Sequence, residues 1–591
     1  MLLNRVLGAL PATLLLGLPF SSALHAYPRQ SASLEDYIKS QADISIKGVL
    51  ANIGPDGSKA QGVAAGAVVA SPSRSDPDYW NTWTRDSSLT FKYLVERFVN
   101  GDQSLRKKID DFVSAQAYLQ GITNPSGGPE SGGLGEPRFN VDLTPFTGVW
   151  GRPQNDGPAL RATALTIYSN WLINNGGYDQ AVNTVWPVIE KDLAFTVSRW
   201  NQTSFDLWEE TSGSSFFTLA ATHRALAEGA ALANQIGKKC NGCADAAPQV
   251  LCFLQSFWTG SYIRANLNVD NGRTGKDINS IVAAIHTFDP ESQCNDATFQ
   301  PCSPRALANH KAVTDSFRSA YTINSGIAAG QAVAVGRYTE DKYYNGNPWY
   351  LATTAAAEQL YSAMYQWDKQ QSVSIDDISL AFFKDLLPDI STGTYAKSSP
   401  TYDSIMSAVR KYADGYLAIV QKYTPTSGSL SEQFDRNSGS QLSAYDLTWS
   451  YAAFLTATDR RSSIVGHTWG ESSHNVPPQS CGTTCTSKVE FSVRVTTTPG
   501  QKVYVVGELS ELGGWEPANA KELNADKYTS KDPLWTSAVD LPAGASFQYK
   551  YIIKTSDGNI VWENKPHQNH ALTTPNECGS SRSADDTWKD A

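Results

Sequence analysis

The sequence predicts a mainly α protein, in which a large helical domain is followed by a small antiparallel β-sandwich. Three observations carry this reading. From about residue 33 to 465 apolar side chains recur every three and four positions, the period of one helix face. After about residue 466 the period changes to two, the mark of half-buried strands. Between these regions GHTWGESSHNVPPQSCGTTC keeps neither period and reads as a short linker. The expected divisions are residues 1–29 as a signal peptide with a possible propeptide, 30–465 as the helical domain, 466–484 as the linker and 485–591 as the β domain. A chain of 591 residues also exceeds the size at which one hydrophobic core stops growing.

The opening MLLNRVLGALPATLLLGLPFSSALHA has a lone Arg5, an apolar run interrupted by Pro11 and Pro19, and small residues up to Ala26. It reads as a secretory signal, too short and too interrupted to span a membrane. Secretion and a mature start near Gln30 are therefore expected. In SLRKKIDDFVSAQAYLQ, Leu105, Ile109, Phe112, Val113 and Ala117 form one apolar stripe. In PALRATALTIYSNWLINN, Leu160, Ala164, Tyr168, Trp171 and Leu172 form another. Further helical runs are expected near 89–99, 217–235, 306–322, 350–368 and 402–422, joined by long loops rich in Gly, Pro, Asn and aromatics. Such loops build sites on rigid scaffolds. In the last hundred residues VEFSVRVTT, KVYVVGEL, PLWTSAVDL, FQYKYIIKT and GNIVWEN alternate as strands.

Charged residues make up only 18% of the chain, whereas 16 Trp, 26 Tyr and 21 Phe exceed the usual needs of packing. Surplus rings suit sugars, whose C–H faces stack on indole and phenol. A net charge of −10 without basic runs excludes nucleic acid as an expected partner, and no later stretch is long enough to enter a membrane. No oligomerisation segment is visible, so a monomer is expected. Eight cysteines in an exported chain fit four disulfides, but about 105 pairings are possible. Cys240 and Cys243 form a CxxC pair without nearby partners at zinc-site spacing. No metal and no cofactor are expected. Asn201-Gln202-Thr203 is a glycosylation acceptor sequence.

Glycosidic bonds are broken by a carboxylic acid that protonates the leaving oxygen and a second carboxylate that activates water or attacks carbon. FDLWEETSGSSFF sets Glu209 and Glu210 beside Trp208 and two Phe residues, surroundings that could desolvate a carboxyl. A Glu pair is more often a solvated surface pair, and the flanking aromatics shift that balance only modestly. Local chemistry thus leaves both readings open.

Six segments resolve them together. PDYWNTWTRDS, FTGVWGRPQNDGPALRATA, DLWEETSGSSFF, GRYTEDKYYNGNPW, SGSLSEQFDRNSG and LTWSYAAFLTA, in this order, resemble the fungal glucoamylases of glycoside hydrolase family 15. The resemblance covers nearly all of the expected mature chain. It implies an (α/α)6 toroid with a pocket at one end, inverting exo-hydrolysis of α-1,4 and more slowly α-1,6 bonds, and release of β-D-glucose from starch, glycogen and maltooligosaccharides. It implies Glu209 as general acid and Glu432 as general base, with carboxyl groups roughly 6.5–9.5 Å apart to admit a water. It further implies substrate contacts from Arg85, Asp86, Trp83, Tyr79, Arg337 and Glu210, and pocket walls from Trp150, Trp208, Tyr343, Trp349 and Trp449. On spacing alone the WTRD cluster fits a buried ion pair equally well, and each Trp fits a core position. Asn155 stands where relatives often carry Arg, and Thr211-Ser212 where Val-Asn is common.

The final hundred residues resemble the starch-binding module attached to many such enzymes. This implies one sugar site at Trp515, Lys550 and Trp562 and a second at Tyr528 and Trp535, the latter without a third ring because Pro499 takes its place. The same resemblance implies disulfides Cys240–Cys243, Cys252–Cys481, Cys294–Cys302 and Cys485–Cys578. Two other readings stay open on these residues. One is a different α-toroid glycosidase, such as a trehalase or glucodextranase. The other is a non-catalytic starch-binding protein, which the presence of both carboxylates disfavours.

Overall fold

A computed structural model describes residues 33–589, apart from 270, 471–474, 479–485, 543–544, 564–567 and 576–579. The expected signal peptide, Cys481, Cys485 and Cys578 lie outside the described residues.

Among the described residues twelve helices of eight residues or more follow one another. They are α1 (Leu34–Ala51), α2 (Thr84–Val99), α3 (Arg106–Leu119), α4 (Asp156–Asn174), α5 (Trp186–Arg199), α6 (Phe216–Gln235), α7 (Cys243–Gln255), α8 (Asn279–His286), α9 (Pro304–Ser316), α10 (Tyr350–Gln370), α11 (Pro400–Tyr423) and α12 (Thr448–Arg461). Local chemistry sets several starts. Ser33, Ser215, Ser303 and Ser399 cap α1, α6, α9 and α11 by accepting a backbone N–H, and Pro304 and Pro400 open α9 and α11.

The even-numbered helices pack side by side, α2 on α4, α4 on α6, α6 on α8, α8 on α10, α10 on α12 and α12 back on α2, closing an inner ring. The odd-numbered helices lie outside it. The two apolar stripes read from the sequence separate these layers. On α3 the stripe is one-sided: Leu105, Ile109, Phe112 and Val113 are buried, while Ala117 is exposed. On α4 the expected stripe is only part of a helix buried on nearly every side, from Asp156 to Ser169 without a break. An inner helix touches ring neighbours on two sides and an outer helix on a third, so little of it faces water.

The C-terminal domain has two sheets. In one, β1 (Thr486–Arg494) lies between β4 (Leu534–Pro542) and β8 (Ser581–Thr587). In the other, the order is β3 (Lys521–Glu522), β2 (Lys502–Gly507), β5 (Ser546–Lys554) and β6 (Ile560–Trp562), with β7 (His570–Thr573) also on β5. The sandwich is antiparallel as expected except at one pair, β1 and β8, which run parallel. Neither β7 nor β8 was legible in the sequence, because β8 offers only Ala584 to the core.

Cys240 is joined to Cys243, and Cys294 to Cys302. Cys252 is also disulfide-bonded. Part of the expected linker packs on the helical domain: Trp469 is buried edge-on to His223, and Asn475 donates to the Ser292 hydroxyl at 2.7 Å.

Candidate active site

A cavity of about 490 Å³ opens where the inner helices begin, a usual size for a small-molecule site. Tyr79, Trp83, Arg85 and Asp86 enter it from the start of α2, and Trp150 from the loop before α4. Trp208, Glu209 and Glu210 come from the turn before α6, Arg337, Tyr343 and Trp349 from the loop before α10, Glu432 from the loop between α11 and α12, and Trp449 from the first turn of α12. The fold thus brings all thirteen expected residues of the helical domain to one cavity. Helix N-termini carry partial positive charge, which suits a pocket rich in carboxylates.

Glu209 is held by donors. One carboxylate oxygen accepts from Arg85 Nη2 (3.0 Å) and Gln154 Nε2 (3.1 Å), the other from the Trp150 indole Nε1 (2.8 Å). Its backbone sits in the left-handed region, φ 67°, an uncommon conformation for a residue with a side chain. The turn is built by Asp206, whose carbonyl accepts the Glu209 N–H and whose carboxylate accepts those of Glu210 and Thr211. Neighbouring Trp208 does not blanket Glu209, as its place in the sequence suggests. Its indole instead donates to both oxygens of buried Asp277 at 3.0 Å. Burial in that position pushes the Asp277 carboxyl up to about 8, against the Asn279 N–H and Trp208 that favour its charge.

Glu432 has other surroundings. It is buried, and accepts from Ser443 Oγ and from Gln433 Nε2 (2.9 Å). Burial raises its pKa above the ordinary Glu range, while Ser443, Gln433, Arg337 and Tyr79 draw it back. Tyr79 and Tyr343 join hydroxyls across this wall at 3.0 Å.

Arg85 satisfies both readings of its cluster. It lies in the cavity wall, and it is the centre of a buried ion-pair group with Asp156 (3.0 Å) and Glu209 (3.0 Å). Asp86 sits 3.9 Å from Arg85 Nε, and burial pushes its carboxyl up to about 7, with Glu209 and Asp156 adding to the rise and Arg85 opposing it. Arg337 grips Asp341 with two N–H groups (2.8 and 2.6 Å) and Glu210 at 2.7 Å. Burial alone would raise the Glu210 pKa, but Arg337, Tyr338 and Arg273 outweigh it and hold the group below its ordinary value.

Several site residues were missed in the sequence. The Arg138 guanidinium lies 4.5 Å from the ring of Trp83, 4.2 Å from Trp150 and 4.1 Å from Phe146, wedged among the wall aromatics. Gln154 and Asp156 stood within a recognised segment, one short step from Trp150, and that adjacency was the available signal. Asp341 carried the same kind of signal, four residues after Arg337 in GRYTEDKYYNGNPW, whereas Asp277 and Ser443 lie outside the six segments. Asn155, which departs from the common residue, is buried and donates to the Arg199 carbonyl, away from both carboxylates. Among the described residues no group of three or more His, Cys, Asp and Glu side chains is arranged to hold a metal ion.

The sequence profile of glycosyl hydrolases family 15 matches residues 43–459, a range that includes every residue lining this cavity. The chain belongs to that family. The profile of the starch binding domain matches residues 486–584. This family 15 hydrolase is 51% identical to a glucoamylase of Neurospora crassa, with 94% of each chain covered. It is 47% identical to glucoamylase P of Amorphotheca resinae over 95% of this chain and 94% of the relative. Among solved structures it is similar to the family 15 glucoamylase of Hypocrea jecorina, with a TM-score of 0.75 and 49% identity over 94% of this chain and all of the other.

In the β domain of the hydrolase, register places the expected starch-binding residues. Val506 pairs with Lys550 and Ile552 with Trp562, and residues two apart on a strand share a face, so Lys550 and Trp562 lie on one face of the sheet, Lys550 buried there and Trp562 half-buried. Trp515, at φ 65°, follows two glycines that are also left-handed, and its N–H donates to the carbonyl of Gly507, beside the Val506–Lys550 pair. The other pair differs. Trp535 is only 7% exposed and belongs to the sandwich core, with Tyr528 packed edge-on against it at 6.0 Å.

Proposed function

We propose that the protein removes single glucose units from the non-reducing ends of starch, glycogen and maltooligosaccharides by inverting hydrolysis of α-1,4 and, more slowly, α-1,6 bonds. The observation that carries this reading is the contrast between two carboxylates on one cavity. Glu209 is surrounded by N–H donors, whereas Glu432 is buried among hydroxyl and amide donors.

In this reading Glu209, carrying a proton, gives it to the glycosidic oxygen as the bond to the anomeric carbon breaks. The negative charge left on Glu209 is received by Arg85, Gln154 and Trp150, which are already aimed at it, so their stabilisation grows as the proton departs. Glu432 takes a proton from the attacking water on the opposite face of the sugar. The bond from water oxygen to the anomeric carbon forms there, which inverts the centre. Arg85, Asp86, Arg337 and Glu210 hold sugar hydroxyls, and the aromatic walls exclude solvent. A pocket closed at one end, with Trp449 in its lining, admits a chain terminus and so accounts for exo-action.

Trp515, Lys550 and Trp562 form the starch-stacking platform of the β domain. The protein acts outside the cell as a monomer, with no nucleic-acid partner, and Asn201, in the turn after α5, carries a glycan. Among the described residues no helix is long and apolar enough to cross a membrane.

The test is incubation with maltooligosaccharides followed by proton NMR. Early β-glucose, with an oligosaccharide one unit shorter than the substrate as its co-product, is expected. Early α-glucose or internal fragments would overturn the reading, as would undiminished activity in folded Glu209→Gln or Glu432→Gln.

A further inference from the structure

In the β domain, β6 and β7 share one edge of β5 and leave a gap between them. β6 pairs with Ile552–Lys554 and β7 with Ser546–Tyr549. Glu563, next in the chain to Trp562, stands at the lip of this gap. Its N–H donates to the Tyr551 carbonyl (3.1 Å), but the return bond from the Tyr551 N–H goes to the Glu563 carboxylate (3.1 Å). A side chain thus replaces a backbone carbonyl in the last rung beside Trp562.

His570, the first residue of β7, ties this rung to the opposite sheet. Its Nε2 lies 3.0 and 3.2 Å from the two Glu563 oxygens, and its Nδ1 3.1 Å from Asp586 on β8. The ring stacks on Tyr549 at 5.1 Å and meets Tyr551 edge-on. The second Asp586 oxygen accepts both tyrosine hydroxyls, at 2.8 and 2.9 Å. The Lys589 N–H adds a bond to Glu563 (3.0 Å), and Arg582 is a further cation near Tyr549. Carboxylates only accept, so holding both requires two N–H groups, which imidazole has only when protonated. Burial works against that charge, and the two carboxylates outweigh it, placing proton loss at about 9.

We propose that His570 is a positioning residue for starch recognition: as an imidazolium it joins Glu563 to Asp586, fixes the end of β6 and so holds the Trp562 indole in the orientation that stacks on an α-1,4-glucan. This rests on the reading of Trp562 as part of the starch platform. Granule binding is then lost, reversibly, when His570 gives up its proton.

The experiment is adsorption of the full chain to granular starch in the cold, from pH 5 to 10.5. For the unaltered protein, affinity at least fivefold weaker at pH 10.5 than at pH 6 is expected, with recovery on return to pH 6. This arm needs no variant to fold. His570→Gln is expected to bind several-fold more weakly at pH 6 with no alkaline step, and Glu563→Gln to lose the step as well. Trp562→Ala is expected to bind weakly at every pH. A flat profile in the unaltered chain, or undiminished binding at pH 6 by His570→Gln, while Trp562→Ala binds weakly, would overturn the role of His570 and leave the platform standing. Undiminished binding by Trp562→Ala would overturn both.

Discussion

The indole Nε1 of Trp150 lies 2.8 Å from the Glu209 carboxylate, although the two residues belong to loops that enter different inner helices. The bond needs no substrate to form, so it is ready when Glu209 becomes charged. Trp150→Phe keeps a ring in the wall and removes only the donor. A hydrogen bond to a charged group contributes ~1.5–3 kcal/mol. We expect kcat on maltotriose to fall by about 10- to 100-fold with a smaller change in KM, measured by steady-state glucose release.

A pH effect follows from Glu432. As a base it must be ionised, and burial holds its pKa above the ordinary Glu range, so the acid limb of the rate profile should lie above that range too. Ser443 donates to the charged form. In Ser443→Ala the carboxylate loses this support, its pKa rises further, and the acid limb of kcat should move to higher pH. An unmoved or acid-shifted limb would count against Glu432 as the base.

Arg337 meets Asp341 through two N–H groups and Glu210 through one of them. A lysine offers one point charge in place of this planar fork. For Arg337→Lys, kcat/KM on maltose should fall by about 10- to 100-fold, on the scale of one or more charge-assisted bonds. Melting temperature should be recorded alongside it, since Asp341 is buried and would lose its partner.

Asp277 ties stability to pH. Its carboxyl is near 8 in the folded chain and about 3.9 when unfolded, so its contribution is full below the unfolded value and is lost as pH rises through the folded one. Between pH 4.5 and 8.5 the melting temperature of Asp277→Asn should therefore fall less than that of the unaltered protein. The comparison is made by calorimetry at both ends of the window.

The two aromatic groups of the β domain should behave differently. Trp535→Ala removes a core side chain and should destabilise the domain by ~3–5 kcal/mol, seen in its melting transition. Trp515→Ala should weaken granule binding with little change in melting. With Pro499 in place of a third ring, isotherms of the unaltered chain should fit one dominant site, and two equal sites would contradict this.

Much of this molecule was legible before folding. Alternation with periods of three to four and then two separates the domains, because those periods reflect which side of a helix or strand meets water. Glu209 and Glu432 became a pair through ordered segments rather than local chemistry. Trp208 shows the limit of local reading: it is adjacent to Glu209 in sequence, yet its indole turns to Asp277, across a contact between distant loops.

By itself, then, the sequence determined the domain order, the approximate helical runs, and which side chains could perform hydrolysis. The tertiary structure alone decided that α4 is buried all round while α3 is buried on one face, that Arg85 is at once an ion-pair centre and a pocket wall, and that His570 bridges two carboxylates. The physical reason is the same throughout. Periodicity and capping act over a few residues, whereas desolvation and charge pairing depend on groups that only the closed ring or the paired sheets bring within 3 or 4 Å.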